Sequence, residues 1–199
     1  MWTERIVARA RVTGRMAVME TTEAPPGHTP DGGVLVGSEG ARSRLVVFED
    51  PQCPYCREFE DASGDLLRRE VAAGAVAVEY RIRSFLGEES VRAANALAAA
   101  AATGKFDELR RELFAEQPPE HSGGFSTDVL LELGSRVGLT GSEYAAAVRE
   151  GRYERWVREI DEAFQEQDAG GTPFALLGGR PVDAETLYDP ERLGSLIRT

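Results

Sequence analysis

The spacing of apolar residues changes along the chain, and the changes mark out its parts. From Leu45 to Phe48 the apolar run is unbroken, as in a short strand covered on both faces. Cys56, Phe59, Ala62 and Leu66 then recur at helical spacing, which predicts a helix from Cys53 to about Ala73 with Cys56 on its buried side. Pro54 suits the first turn, where a missing N–H costs nothing, and Gly74 ends the helix. Val76 to Ile82 alternates like a second strand. Strand, helix and strand at this spacing predict a βαβ unit with a parallel pair.

Residues 88–168 keep helical spacing throughout. Val91, Ala94, Leu97, Ala98 and Ala101 make one apolar face, Phe106, Leu109 and Leu113 a second, and Val129, Leu130, Leu133 and Val137 a third. Tyr144 and Val148 mark a short helix, and Trp156, Ile160, Ala163 and Phe164 a longer one. No segment repeats another at a fixed period, so this is a helical insertion and not a repeat array. Phe174 to Leu177 returns to strand, Gly178-Gly179 reads as a two-residue hairpin turn into Arg180-Pro181-Val182, and Leu193, Leu196 and Ile197 belong to a closing helix. Ahead of all this, residues 5–20 fit either a two-strand ribbon turning at Gly14 or a frayed helix. Thr21 to Gly33 is a linker rich in Pro, Gly and Thr. The expected division is an arm and linker at 1–33, a sheet-bearing unit at 34–87 and 169–199, and a helical subdomain at 88–168.

Composition narrows the function. The formal charge of −11, from 34 acids against 23 bases, argues against nucleic acid as a partner, since phosphate binding needs a basic surface. The longest apolar run, Ala96 to Ala102, falls far short of a membrane span. Between Met1 and Met19 the apolar runs are too short for a signal-peptide core. The chain therefore reads as cytoplasmic, with an extracytoplasmic site of action if an anchor has been trimmed away. His28 and His121 are the only histidines, too few for a zinc set with two cysteines in a short motif. No bound cofactor is expected.

The chemistry lies at the strand–helix junction. Cys53-Pro54-Tyr55-Cys56 holds the only two cysteines of the chain, and this placing points to thiol–disulfide exchange. The attacking species is a thiolate, and a helix N-terminus stabilises one with unpaired N–H groups and the positive end of the helix dipole. Arg57 would add to this, while Glu49 and Asp50 would oppose it. A low pKa also makes Cys53 the better leaving group, which favours the reduced form and makes the disulfide more oxidising.

Phe48-Glu49-Asp50-Pro51-Gln52 before the motif, the motif itself and the later Gly171-Thr172-Pro173 together resemble the DsbA-like branch of the thioredoxin superfamily. The resemblance covers roughly residues 34–199 in element order. It implies an α/β, thioredoxin-like fold, βαβ then ββα, with an all-helical subdomain inserted between the halves. It implies Cys53 as nucleophile and Cys56 as resolving thiol. Thr172 and Pro173 would form a cis-proline loop facing the cysteines, where substrate backbone pairs, with Pro54 and Tyr55 also at the substrate. Protein or small-thiol substrates and a recycling redox partner follow. One departure stands out: members often carry a buried acid six residues before the first cysteine, and here that position is Val47. Glu49 and Asp50 lie past the apolar run and are expected at the surface, which would leave water to relay the Cys56 proton. The Pro-Tyr pair is also typical of glutaredoxins, so it does not choose oxidase over reductase. Two rival readings are a thiol-dependent isomerase or transferase, against which the intact cysteine pair counts, and a non-enzymatic redox-sensing protein.

Overall fold

The computed structural model describes residues 24–167 and 171–199. The ribbon-or-helix alternative at residues 5–20 lies outside the described residues. Strand β2 (Ser43–Glu49) is the middle of a five-stranded sheet of order β1-β3-β2-β4-β5. Its parallel neighbour is β3 (Val76–Ile82), in the register Val47 to Tyr80 and Glu49 to Ile82. Its antiparallel neighbour is β4 (Phe174–Leu177), with Val47 opposite Ala175. Short β1 (Val34–Val36) and β5 (Arg180–Pro181) close the edges, both antiparallel. Gly178 and Gly179 have φ of 56° and 80°, the left-handed backbone a two-residue hairpin turn needs and only glycine adopts freely.

Helix α1 (Pro54–Ala72) connects β2 to β3 in the expected βαβ unit and buries Cys56, Phe59, Leu66 and Leu67 against the sheet. Phe59 is wholly enclosed, and a side chain of that size contributes roughly 1.5–3 kcal/mol by leaving water. Five helices lie between β3 and β4: α2 (Glu88–Ala101), α3 (Phe106–Ala115), α4 (Thr127–Arg136), α5 (Ser142–Glu150) and α6 (Glu154–Gln165). Alanine-rich α2 is buried along nearly its whole length. Its small side chains let α3, α5 and α6 approach on several sides. The chain ends in α7 (Ala184–Leu187) and α8 (Pro190–Arg198), and α8 packs on α1.

Both sheet faces are covered, so β3 does not behave as a half-exposed alternating strand. One face carries Leu45, Val47, Val78 and Tyr80, under α1 and α3. The other carries Phe48, Glu79 and Arg81, all buried. Arg81 donates to Glu79 at 2.9 Å and lies over the rings of Phe48 and Phe164. The linker packs on the body: Thr29 donates to Glu79 at 3.3 Å, and the His28 ring meets Trp156 edge-on at 4.5 Å.

The expected surface position of Glu49 and Asp50 is overturned: both are 0 % exposed. β2 runs one residue past its apolar stretch, and Glu49 pairs with Ile82. Its side chain lies two positions beyond Val47, on the same covered face. Arg110 of α3 meets it there with Nε at 2.5 Å and Nη2 at 2.7 Å. An apolar run ends where charge begins, but a strand ends where its pairing ends.

Candidate active site

Cys53 caps the N-terminus of α1 with extended backbone, and Pro54 opens the helix. Cys56 follows one turn later on the buried side. Cys53 retains 5 % exposure and Cys56 none. Both thiols are free. The Thr172–Pro173 peptide bond is cis, and the Cys53 thiol donates to the Thr172 carbonyl at 3.3 Å. The six positions named from sequence thus fall at one place: Pro54 and Tyr55 on the outside, Tyr55 61 % exposed, the sulfurs beneath, and Thr172-Pro173 across from Cys53.

The two thiols differ electrostatically. The Cys53 thiol is pulled down to about 6 from an ordinary 9.0. The Cys56 thiol, donating to the Cys53 sulfur, is the largest cause, and burial opposes it. The Thr172 side chain and the backbone N–H groups of Cys56 and Tyr55 add to the lowering. The Thr172 hydroxyl is buried with no hydrogen-bond partner among the described residues. Burial pushes the Cys56 thiol well up, and the neighbouring Cys53 and Glu49 charges push the same way. A hydrogen bond given to one sulfur therefore stabilises its anion, and the giver stays protonated. Arg57 does not join them; its Nε lies 3.8 Å from Asp61.

Two acids underlie the motif. Glu49 belongs to a buried ion chain in which Arg110 also reaches Glu60 at 2.6 Å, and Glu60 accepts from Arg68 at 2.5 Å. The Arg110 guanidinium lies 4.0 Å from the Tyr80 ring centre. Burial disfavours the Arg110 cation, but the Glu49 and Glu60 charges outweigh that and hold it protonated. Among the described residues no cation pairs with Asp50. Its carboxylate accepts from Ser90 Oγ at 2.5 Å, Gln52 N–H at 2.9 Å and Leu86 N–H at 3.2 Å. Burial raises it to about 7, with the nearby Cys53 charge adding to the rise.

Sequence reasoning missed these acids, and it missed the apolar and polar groups that close over the motif. Phe114 of α3 forms a buried cluster with both cysteines, and Leu86 packs against that cluster. Tyr188 donates to the Tyr55 carbonyl at 3.0 Å, and Gln117 donates to the carbonyls of Pro51 and Cys53. No local pattern marks these residues, because each lies 30 or more positions from the motif. The pleat, though, carried one usable signal: Glu49 stands two positions beyond Val47 and so shares its covered face. Among the described residues no group of three or more His, Cys, Asp or Glu is placed to hold a metal.

A family model described as Thioredoxin matches residues 29–198. Among curated proteins the chain is similar to the serine/threonine-protein kinase PknE of Mycobacterium tuberculosis, 28% identical over 83% of this chain. The match spans 31% of the kinase's length. Among solved structures it resembles the reduced disulfide bond oxidoreductase DsbG of Mycobacterium tuberculosis, with TM-score 0.75 and 24% identity over 85% of this chain and 88% of that one. It also resembles reduced DsbA of the same organism, with TM-score 0.72 and 23% identity over 83% and 90%. With this element order and this sheet, the chain belongs to the thioredoxin family.

Proposed function

We propose that this protein exchanges disulfides with protein or low-molecular-weight thiols through Cys53 and Cys56. The observation that carries the reading is the asymmetry of the pair: a thiol held near 6 at the mouth of a helix and a buried partner held well above its ordinary value. In the donor direction, a substrate thiolate attacks Cys53 Sγ of the oxidised pair and breaks the Cys53–Cys56 bond. Cys56 leaves as a thiolate and takes a proton, which its raised pKa favours. A second substrate thiolate attacks the substrate sulfur of the mixed disulfide and releases Cys53. Two electrons have passed to the protein, and Cys53 leaves as a stable anion. A recycling partner must then remove those electrons.

Thr172 and Pro173, across from Cys53, are the proposed site for substrate backbone, with exposed Tyr55 and Pro54 beside it. Residues 88–168 serve as a subdomain whose α3 end roofs the sulfurs. Among the described residues no helix is long and apolar enough to cross a membrane. The expected cytoplasmic setting goes with a reductase, whereas the low Cys53 pKa supports a disulfide donor, which works where disulfides persist.

The test is the equilibrium of Cys53–Cys56 with glutathione. A potential between about −120 and −180 mV marks a donor, and one near about −270 mV a cytosolic reductase. Cys56→Ser should accumulate a mixed disulfide on Cys53, and Cys53→Ser should form none. A wild-type protein that never exchanges with glutathione sinks the reading.

A further inference from the structure

The carbonyl of Cys53 has an unusual partner. As the first acceptor of α1 it takes the Cys56 N–H at 3.1 Å and the Arg57 N–H at 3.3 Å. A third donor arrives from outside the helix: Gln117 Nε2 at 3.0 Å, which also donates to the Pro51 carbonyl at 2.8 Å. A side-chain amide carries two N–H groups on one nitrogen, so a single glutamine satisfies both oxygens. The reverse orientation would set its own oxygen against two carbonyls, so the partners fix which end faces the motif. Gln117 stands two residues past the end of α3, whose Phe114 clusters with the two cysteines. Further on, the His121 N–H donates to Gln52 Oε1 at 3.0 Å. Gln52 Nε2 in turn donates to the Leu86 carbonyl and the Ser90 hydroxyl, each at 2.9 Å. The strip from Gln117 to His121 is thereby fastened to Pro51, Gln52 and Cys53.

We propose that Gln117 is a positioning residue for disulfide exchange: its amide holds the Pro51 and Cys53 carbonyls toward the helical insertion and offsets their dipoles beside the Cys53 sulfur. The negative end of a carbonyl dipole disfavours a neighbouring anion, and an N–H donor on that oxygen relieves the effect. Gln117 hydrogen-bonds two carbonyls of the motif and acts through its backbone. The inference rests on the exchange reading, since it assigns the residue to that reaction.

The experiment compares wild type with Gln117→Met, an unbranched apolar replacement, and Gln117→Glu, which can only accept at neutral pH. Three quantities are read: the Cys53 ionisation curve from thiolate absorbance, the glutathione equilibrium, and the melting temperature of each redox form. Gln117→Met should raise the Cys53 acid dissociation midpoint, equivalent to about a three- to tenfold loss of thiolate stability, the usual worth of one or two such bonds. The glutathione equilibrium should move by a similar factor toward the oxidised protein. Gln117→Glu should move both further. Unchanged ionisation and equilibrium in Gln117→Met, with equal melting losses in both redox forms, would assign a merely structural role and overturn the proposal. Should the variants fail to fold, wild type still decides it by NMR. Two resolved, exchange-protected Gln117 Nε2 protons support the clamp, and a solvent-averaged pair refutes it. A wild-type protein with an ionising Cys53 but no glutathione exchange would instead fail the functional reading, leaving the ionisation comparison to judge Gln117.

Discussion

The depressed Cys53 pKa makes the relative stability of the two redox forms depend on pH, and its size follows from the site. The reduced protein holds a thiol titrating near 6 where the unfolded chain holds one near 9.0, and in the oxidised protein neither sulfur titrates. The unfolded reduced chain therefore binds more protons than the folded one between those values, and the reduced form gains stability as pH rises through that window. Below pH 6 the gain is gone, because the folded thiolate is itself protonated. Integration gives about 1 kcal/mol at pH 7 and about 3 kcal/mol at pH 8 in favour of the reduced form. Cys56 adds nothing here, because below pH 8 it stays protonated in the native protein and nearly so in the unfolded chain. Asp50 is present in both forms and cancels to first order. The assay is urea unfolding of oxidised and reduced protein at pH 5, 7 and 8, with alkylation rate against pH as a check on the midpoint. About 90% thiolate is expected at pH 7. A stability gap that stays flat from pH 5 to 8, or an alkylation midpoint above 8, would refute the reasoning.

Other consequences concern the acids beneath the motif. Arg110→Met leaves Glu49 buried and unpaired, and breaking such a pair should cost about 3–5 kcal/mol at pH 8. The stranded carboxyl's pKa rises, so the loss should shrink as pH falls and it protonates; adding Glu49→Gln should recover much of it. A loss under about 1 kcal/mol, read by denaturant titration, would mean the ion chain is not closed as described. Asp50, held near 7 against an ordinary 3.8, binds its proton more tightly when folded. Wild-type stability should therefore fall as pH rises from 4 to 7, by up to about 4 kcal/mol from this residue. Asp50→Asn should lack that slope and leave the Cys53 midpoint little changed, because Asp50 is mostly protonated where Cys53 titrates. A parallel pH profile for the two proteins would remove Asp50 from this account.

The sequence by itself determined the order of the elements and the place of the chemistry. The cysteine pair at a strand–helix junction, Pro54 in the first turn and the glycine pair at 178–179 are local features, and local features state their own backbone requirements. The parallel pairing of β2 with β3 was legible too, because the intervening helix leaves few other ways to close the unit. What covers a position is not local. Hydrophobic spacing told which face of β2 Val47 occupies, but not that the face continues over Glu49 or that Arg110, 61 positions away, neutralises the charge there. The same holds for Asp50 under Ser90 and for Gln117 over Pro51 and Cys53. A charged side chain is read as exposed until its counter-charge is known, and the counter-charges here lie on helices that meet the strand only in the folded protein. Tertiary structure therefore decided which acids underlie the thiols and which amide holds the motif, while the sequence had already placed the thiols themselves.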